Sequence, residues 1–81
     1  MRFNEHFDAL DRLDGLIRRK QTGTPAQLAA KFGVSVGTIK NMIKEMKDRD
    51  CPIRYSRGEK TYYYTRKIKI IAFQVIDEED L

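Results

Sequence analysis

Eighty-one residues leave room for one small domain with a modest core, which buries roughly 60–65% of the surface its unfolded chain exposes. The chain is 41% hydrophobic and 35% charged, a balance that suits a charged globular domain and excludes both a membrane-embedded and a disordered chain. The net charge of +4 conceals an asymmetry, because residues 1–76 carry all 16 basic and 8 acidic residues, or +8, and Asp77-Glu78-Glu79-Asp80 supplies the remaining −4. From Lys40 to Lys69, ten Lys and Arg stand against four Asp and Glu, or +6. Such a balance favours a polyanionic partner, nucleic acid ahead of a membrane surface. One cysteine, Cys51, excludes an intramolecular disulfide and fits a reducing compartment. One His and one Cys do not make a zinc site, and no cofactor is expected. The first residues lack the apolar run of a signal peptide, and the longest apolar-rich stretch, Ile68 to Ile76, is too short to span a bilayer and is interrupted by Lys69 and Gln74. A cytoplasmic chain with no membrane partner is expected.

Phe3, Phe7, Leu10, Leu13, Leu16 and Ile17 recur at three- and four-residue spacing, which predicts an amphipathic helix over residues 3–20. Asn4 is the expected cap, and Arg18, Arg19 and Lys20 crowd the last turn in keeping with the helix dipole. Gly15 weakens the middle by about 1 kcal/mol and marks either a close helix crossing or a tolerated surface position. Thr24, Pro25 and Gln27 form the start signal and capping box of a second helix, residues 25–32. Leu28 and Phe32 share its inner face, and Ala29 permits a close crossing. Gly33 ends it in the left-handed conformation, Val34 plugs the turn, and Ser35 caps a third helix over residues 36–48 with Thr38 at its third position. Ile39, Met42, Ile43 and Met46 form that helix's apolar stripe.

Cys51-Pro52 breaks the helical pattern, and the period changes to two. Ile53-Arg54-Tyr55 and Tyr62-Tyr63-Tyr64 flank Ser56-Arg57-Gly58-Glu59-Lys60, which predicts a β-hairpin with a basic tip. Ile68 to Ile76 is a further β-rich run whose alternation slips phase at Ile70-Ile71, so a bulge or burial on both faces is expected. The organisation read from this pattern is a single domain over residues 1–76 and an acidic tail, residues 77–81.

Arg12-Leu13, Leu16-Ile17, Thr22-Gly23-Thr24, Leu28-Ala29, Phe32-Gly33-Val34-Ser35, Thr38-Ile39, Ile43 and Pro52-Ile53-Arg54-Tyr55 make a pattern covering about residues 8–64. It resembles the winged helix-turn-helix domain at the start of DeoR-type and WYL-type bacterial transcription regulators. The fold class this implies is α+β, a winged helix-turn-helix in which three helices precede a β-hairpin wing and a further C-terminal β-rich segment. The function implied is that of a small transcription regulator binding double-stranded DNA, with the third helix in the major groove and the wing beside it. The chain departs from the family pattern at Val36-Gly37, where a basic or polar pair is usual, and at Asn41-Met42, often an Arg-Asp pair.

Ser35, Val36, Gly37, Lys40, Asn41 and Lys44 project from the exposed side and N-terminal half of the third helix, the part able to reach bases. Asn41 suits a two-point bond to adenine, against a plain solvent-exposed asparagine. Lys40 and Lys44 suit phosphates or guanine acceptors, against a solvated face. Val36 suits a thymine methyl, against a core contact beside the cap. Arg54, Arg57 and Lys60 decorate the hairpin, with Arg57 at its tip suited to the minor groove or flanking phosphates, against a charged turn that keeps the edge soluble. Adjacent tyrosines in a strand alternate faces, so Tyr62, Tyr63 and Tyr64 do not all stack on one ligand, and at least one is expected in the core against Ile53 or the third helix. His6 stands alone, Ser35 serves as a cap and no Gly-rich phosphate loop follows a strand, so catalysis is not expected. Two alternatives remain open: a protein-interaction module with an apolar patch of Val36, Gly37 and Met42, and single-strand or RNA binding through the Tyr/Arg hairpin. A homodimer through Ile68–Ile76 competes with packing of that segment on the first helix.

Overall fold

The computed structural model describes residues 3–71 and 74–81, residues 3–5 by their backbone alone. Three helices, α1 (Phe3–Arg18), α2 (Pro25–Phe32) and α3 (Val36–Asp48), fall where the apolar spacing predicts them, except that α1 stops two residues short, so Arg19 and Lys20 lie beyond its last turn. Helix α1 already includes Asn4, so the expected cap lies inside the helix and not at its boundary. The nearest atoms to a Cβ at Gly15 all belong to the Arg19 side chain, just past the end of the same helix, so no second helix crosses closely there. The chain leaves α1 through Lys20, at φ 55°, and Gln21 N–H closes the end on Leu16 O at 2.9 Å.

The start of α2 is a full capping box: Thr24 Oγ1 accepts from Gln27 N–H at 3.2 Å, and the Gln27 side chain accepts from Thr24 N–H at 2.9 Å. Gly33 then takes φ 66° and sends its N–H back to the Ala29 and Ala30 carbonyls. Two residues on, Ser35 caps α3 by accepting from Thr38 N–H at 3.1 Å. This tight turn packs α2 against α3. Leu28 and Ala29 of α2, Ile39, Met42, Ile43 and Met46 of α3, and Leu10, Leu13 and Ile17 of α1 form one buried cluster. Val34 is half-buried against it, as a plug for the turn should be.

Beyond α3 come two antiparallel hairpins, β1 (Ile53–Ser56) with β2 (Thr61–Tyr64), and β3 (Ile68–Ile71) with β4 (Gln74–Asp77), which form separate two-stranded sheets. The described chain is thus a small α+β domain of three helices followed by two hairpins. In the first, Arg54 pairs with Tyr63 and Tyr55 with Tyr62. Ile53 and Tyr62 are buried, and Tyr55 and Tyr64 lie partly buried against the same core. Tyr55 and Tyr62 meet edge to face, 5.0 Å between ring centroids. At least one tyrosine does join the core, and it is Tyr62. The β2 edge is fastened by the segment joining α1 to α2: Tyr62 N–H donates to Thr22 Oγ1 at 2.8 Å, and the Thr22 and Thr61 hydroxyls lie 3.0 Å apart, both residues buried.

The run Ile68–Ile76 is not one strand with a bulge. It folds back on itself, with Ile68 opposite Asp77 and Ile71 opposite Gln74 in unbroken register. The phase slip at Ile70-Ile71 therefore reflects proximity to a chain reversal. Ala72 and Phe73, inside that run, lie outside the described residues. Ile68 and Val75 pack on the core, whereas Ile70 and Ile71 are exposed. Asp77 ends β4, and Glu78–Asp80 form a 3-10 turn held by Glu78 N–H on Lys67 O at 3.1 Å and by the Arg18–Glu78 ion pair at 3.6 Å. No helix among the described residues is long and apolar enough to cross a membrane.

Candidate nucleic-acid interface

With Ile39, Met42, Ile43 and Met46 turned inward, α3 shows solvent the opposite stripe. Ser35, Val36, Gly37, Lys40, Asn41 and Lys44 are all exposed, as are Arg54, Arg57 and Lys60 of the first hairpin. Ser35 Oγ is committed to its cap on Thr38. Val36 is 36% exposed, so it is a surface residue of the first turn and not a core contact. Met42, by contrast, is 7% exposed, which corrects its assignment to an apolar contact patch with Val36 and Gly37. At a hundred degrees per residue, positions 39, 42, 43 and 46 fall on one side of the helix, so Met42 follows its inward neighbours.

Lys47 extends the exposed stripe by one turn. Lys40, Lys44 and Lys47 follow spacings of four and three and therefore line one face. Lys47 and Arg54 both line a shallow open groove where the end of α3 meets β1, with Tyr55 and Thr65 beside them. The sequence reading stopped at the first two turns and missed Lys47, although its spacing from Lys44 signals it. At the hairpin tip, Glu59 N–H donates to Ser56 Oγ at 3.1 Å and Lys60 takes φ 54°, which presents Arg57-Gly58-Glu59-Lys60 as an ordered loop between paired Ser56 and Thr61.

The ion pairs lie elsewhere. Among the described residues they join Arg18 to Asp14 and Glu78, Arg49 and His6 to Glu45, and Arg66 to Asp77. The six exposed cations of this surface, Lys40, Lys44, Lys47, Arg54, Arg57 and Lys60, have neither an ion pair nor a side-chain hydrogen-bond partner among the described residues, and Lys67 and Lys69 share that state outside it. His6, isolated in the sequence, reaches Glu45 at 2.8 Å and so ties α1 to α3 on the side away from the lysine stripe.

Comparison with protein-family models, with curated proteins and with solved structures gave no match. The site therefore rests on its own geometry.

The titratable groups that are perturbed belong to β2 and to the turn before β1. Burial pushes the Cys51 thiol up to about 11, with the nearby Asp14 carboxylate acting in the same direction. Burial, and then the hydrogen bond that Tyr64 donates to Asp14 Oδ1 at 2.5 Å, raise the Tyr64 hydroxyl above the ordinary phenol range. Burial likewise raises Tyr62. Each shift favours the neutral form, so these groups act as packed residues at neutral pH, Tyr64 with a hydrogen bond to Asp14. Among the described residues no three His, Cys, Asp or Glu side chains gather where they could hold a metal ion.

Proposed function

We propose that this chain binds double-stranded DNA as a small winged helix-turn-helix regulator, with α3 in the major groove and the first hairpin as the wing. The observation that carries this reading is the set of six exposed, unpartnered cations on α3 and the first hairpin. A polyanion is the partner that such unneutralised charge attracts, and release of its counterions supplies the affinity. Helix α3, of 13 residues, is about 20 Å long, and the major groove is about 12 Å wide, so its first two turns are the part suited to base contact. Asn41 is the base-reading candidate there, while Lys40, Lys44, Lys47 and the hairpin cations suit phosphates. The Thr22 fastening supports the winged arrangement, since it anchors the hairpin beside the helices.

Fluorescence anisotropy with duplex pools at several salt concentrations tests the proposal. Six phosphate contacts imply a log-log salt slope of about −5 for one copy. Lys40→Ala with Lys44→Ala is expected to weaken duplex binding by about tenfold or more at low salt and to leave the melting temperature unchanged, because both side chains are exposed. Unchanged affinity in the folded double variant would reject α3 as the DNA-facing element. One observation favours a second reading: Tyr63 lies on the outer face of the hairpin, opposite Arg54 and with Lys20 Nζ 5.9 Å from its ring centroid, an arrangement suited to stacking on an unpaired base. Preference for single strands over duplex, abolished by Tyr63→Ala, would select it.

A further inference from the structure

We propose that the free edge of β4 pairs with β4 of a second copy of this chain, joining the two second hairpins into one four-stranded antiparallel sheet. The inference does not rest on the nucleic-acid reading, and either can fail alone. Opposed residues in an antiparallel ladder alternate between hydrogen-bonded and non-bonded pairs. Glu78 N–H donates to Lys67 O, so Lys67/Glu78 is a bonded pair, and by alternation so are Lys69/Ile76 and Ile71/Gln74. Ile68 and Ile70 on β3, and Val75 and Asp77 on β4, therefore turn their backbone N–H and C=O groups out of the hairpin. The β3 edge is obstructed at Ile68, whose carbonyl accepts from Arg18 Nη1 at 2.5 Å. On the β4 edge, the backbone groups of Val75 and Asp77 have no protein partner among the described residues.

Three observations point to a second copy as the occupant. First, the edge is self-complementary: a two-fold axis through Ile76 sets Val75 of each copy opposite Asp77 of the other, and each such pair can exchange both backbone hydrogen bonds. The obstructed β3 edge disfavours head-to-tail β4-to-β3 pairing, so the assembly closes as a dimer. Second, residues 66–81 hold three basic and four acidic side chains, or −1, while the rest of the chain carries 13 basic and 8 acidic, or +5. The hairpin is the surface on which two copies of a basic protein meet with least repulsion. Third, of the four large hydrophobic residues exposed among those described, Ile70, Ile71 and Leu81 belong to this hairpin or the turn after it.

Sedimentation equilibrium of the intact 9.5 kDa chain at about 10–200 µM is expected to give twice that mass at the upper concentrations. Ile76→Cys is expected to form an interchain disulfide under mild oxidation, since non-bonded partners on the axis lie within disulfide reach. Lys69→Cys should not, because the two copies of that residue would lie about 14 Å apart, three strand spacings. Val75→Pro removes an outward N–H from a position that makes no bond within its own hairpin, so it is expected to give a monomer with an unchanged circular dichroism spectrum. A chain that stays monomeric at 200 µM overturns the proposal. So does cross-linking through Lys69→Cys as readily as through Ile76→Cys, or a folded Val75→Pro protein that still dimerises.

Discussion

Gly33 holds φ 66° at the end of α2 with open space where a side chain would stand, whereas Gly37 lies in the first turn of α3, where an added Cβ would meet only Ser35 Oγ at 3.7 Å. The same substitution is therefore expected to act in opposite directions. Gly33→Ala should destabilise by about 1–2 kcal/mol through left-handed strain alone, and Gly37→Ala should stabilise by about 0.5–1 kcal/mol by restricting the unfolded chain. Denaturant midpoints of the two variants decide this, and shifts of the same sign would contradict it. Cys51 offers a second single-residue test. Its thiol is raised from the ordinary 9.0 to about 11, so the folded state holds the proton more tightly than the unfolded state. The resulting stabilisation is complete below pH 9 and is lost as pH rises to 11. Melting temperature should fall across that interval more steeply in the parent than in Cys51→Ala. Alkylation at pH 8 should be at least about a hundredfold slower in the folded protein than in denaturant.

Between elements, polar ties do work that the apolar stripes cannot. Thr22 is fully buried, and its hydroxyl accepts from the Tyr62 N–H at 2.8 Å and donates to Gly23 O at 2.9 Å. Thr22→Val keeps the shape and strands a buried N–H, for an expected cost of about 1–3 kcal/mol. Faster hydrogen exchange at the Tyr62 amide should accompany the lower melting temperature, and parent-like exchange there would show that the hairpin is held without this tie. On α1, Arg18 serves several neighbours at once: it pairs with Asp14 at 3.1 Å, donates to the Ile68 carbonyl, reaches Glu78 and lies 5.6 Å from the Tyr64 ring centroid. The basic end of α1, which the sequence reading credited to the helix dipole, thus also docks the second hairpin.

At the scale of the molecule, one core serves all three helices and both hairpins, since Leu13, Ile17, Leu28, Ile39 and Ile68 are each fully buried in the same cluster as Ile53 and Tyr62 of the first hairpin. So small a domain has little stability to spare. Ile39→Asp would bury a carboxylate between α2 and α3 at a cost of several kcal/mol, comparable to the whole stability of such a domain. Loss of the cooperative melt is expected, and a melt near the parent's would place Ile39 outside the core. Charge divides the same molecule: the carboxylates Asp14, Glu45, Asp77 and Glu78 are paired with cations, whereas the cations of α3 and the first hairpin, together with Lys67 and Lys69, have no ion pair among the described residues.

All three helices were legible in the sequence because their signals are local. Thr24-Pro25-Ala26-Gln27 and Gly33-Val34-Ser35 fix helix ends through contacts no more than four residues apart, and the 3.6-residue period marks the inner face. The first hairpin was legible for the same reason, through alternation on either side of a Gly-containing loop, and so was the exposure of all nine candidate site residues. The second hairpin was not. Its strands share one period of two, and the two residues between paired Ile71 and Gln74 are Ala72 and Phe73, neither a turn former. Contacts spanning 39 to 50 residues were likewise beyond sequence reading: Thr22 with Thr61, His6 with Glu45, and Arg18 with the Ile68 carbonyl. A side chain's chemistry limits what it can bond, but only the packing of distant elements decides which partner comes within 3 Å. That packing pairs Arg18 and Arg66 with carboxylates and leaves the cations of α3 and the first hairpin, with Lys67 and Lys69, unpaired among the described residues.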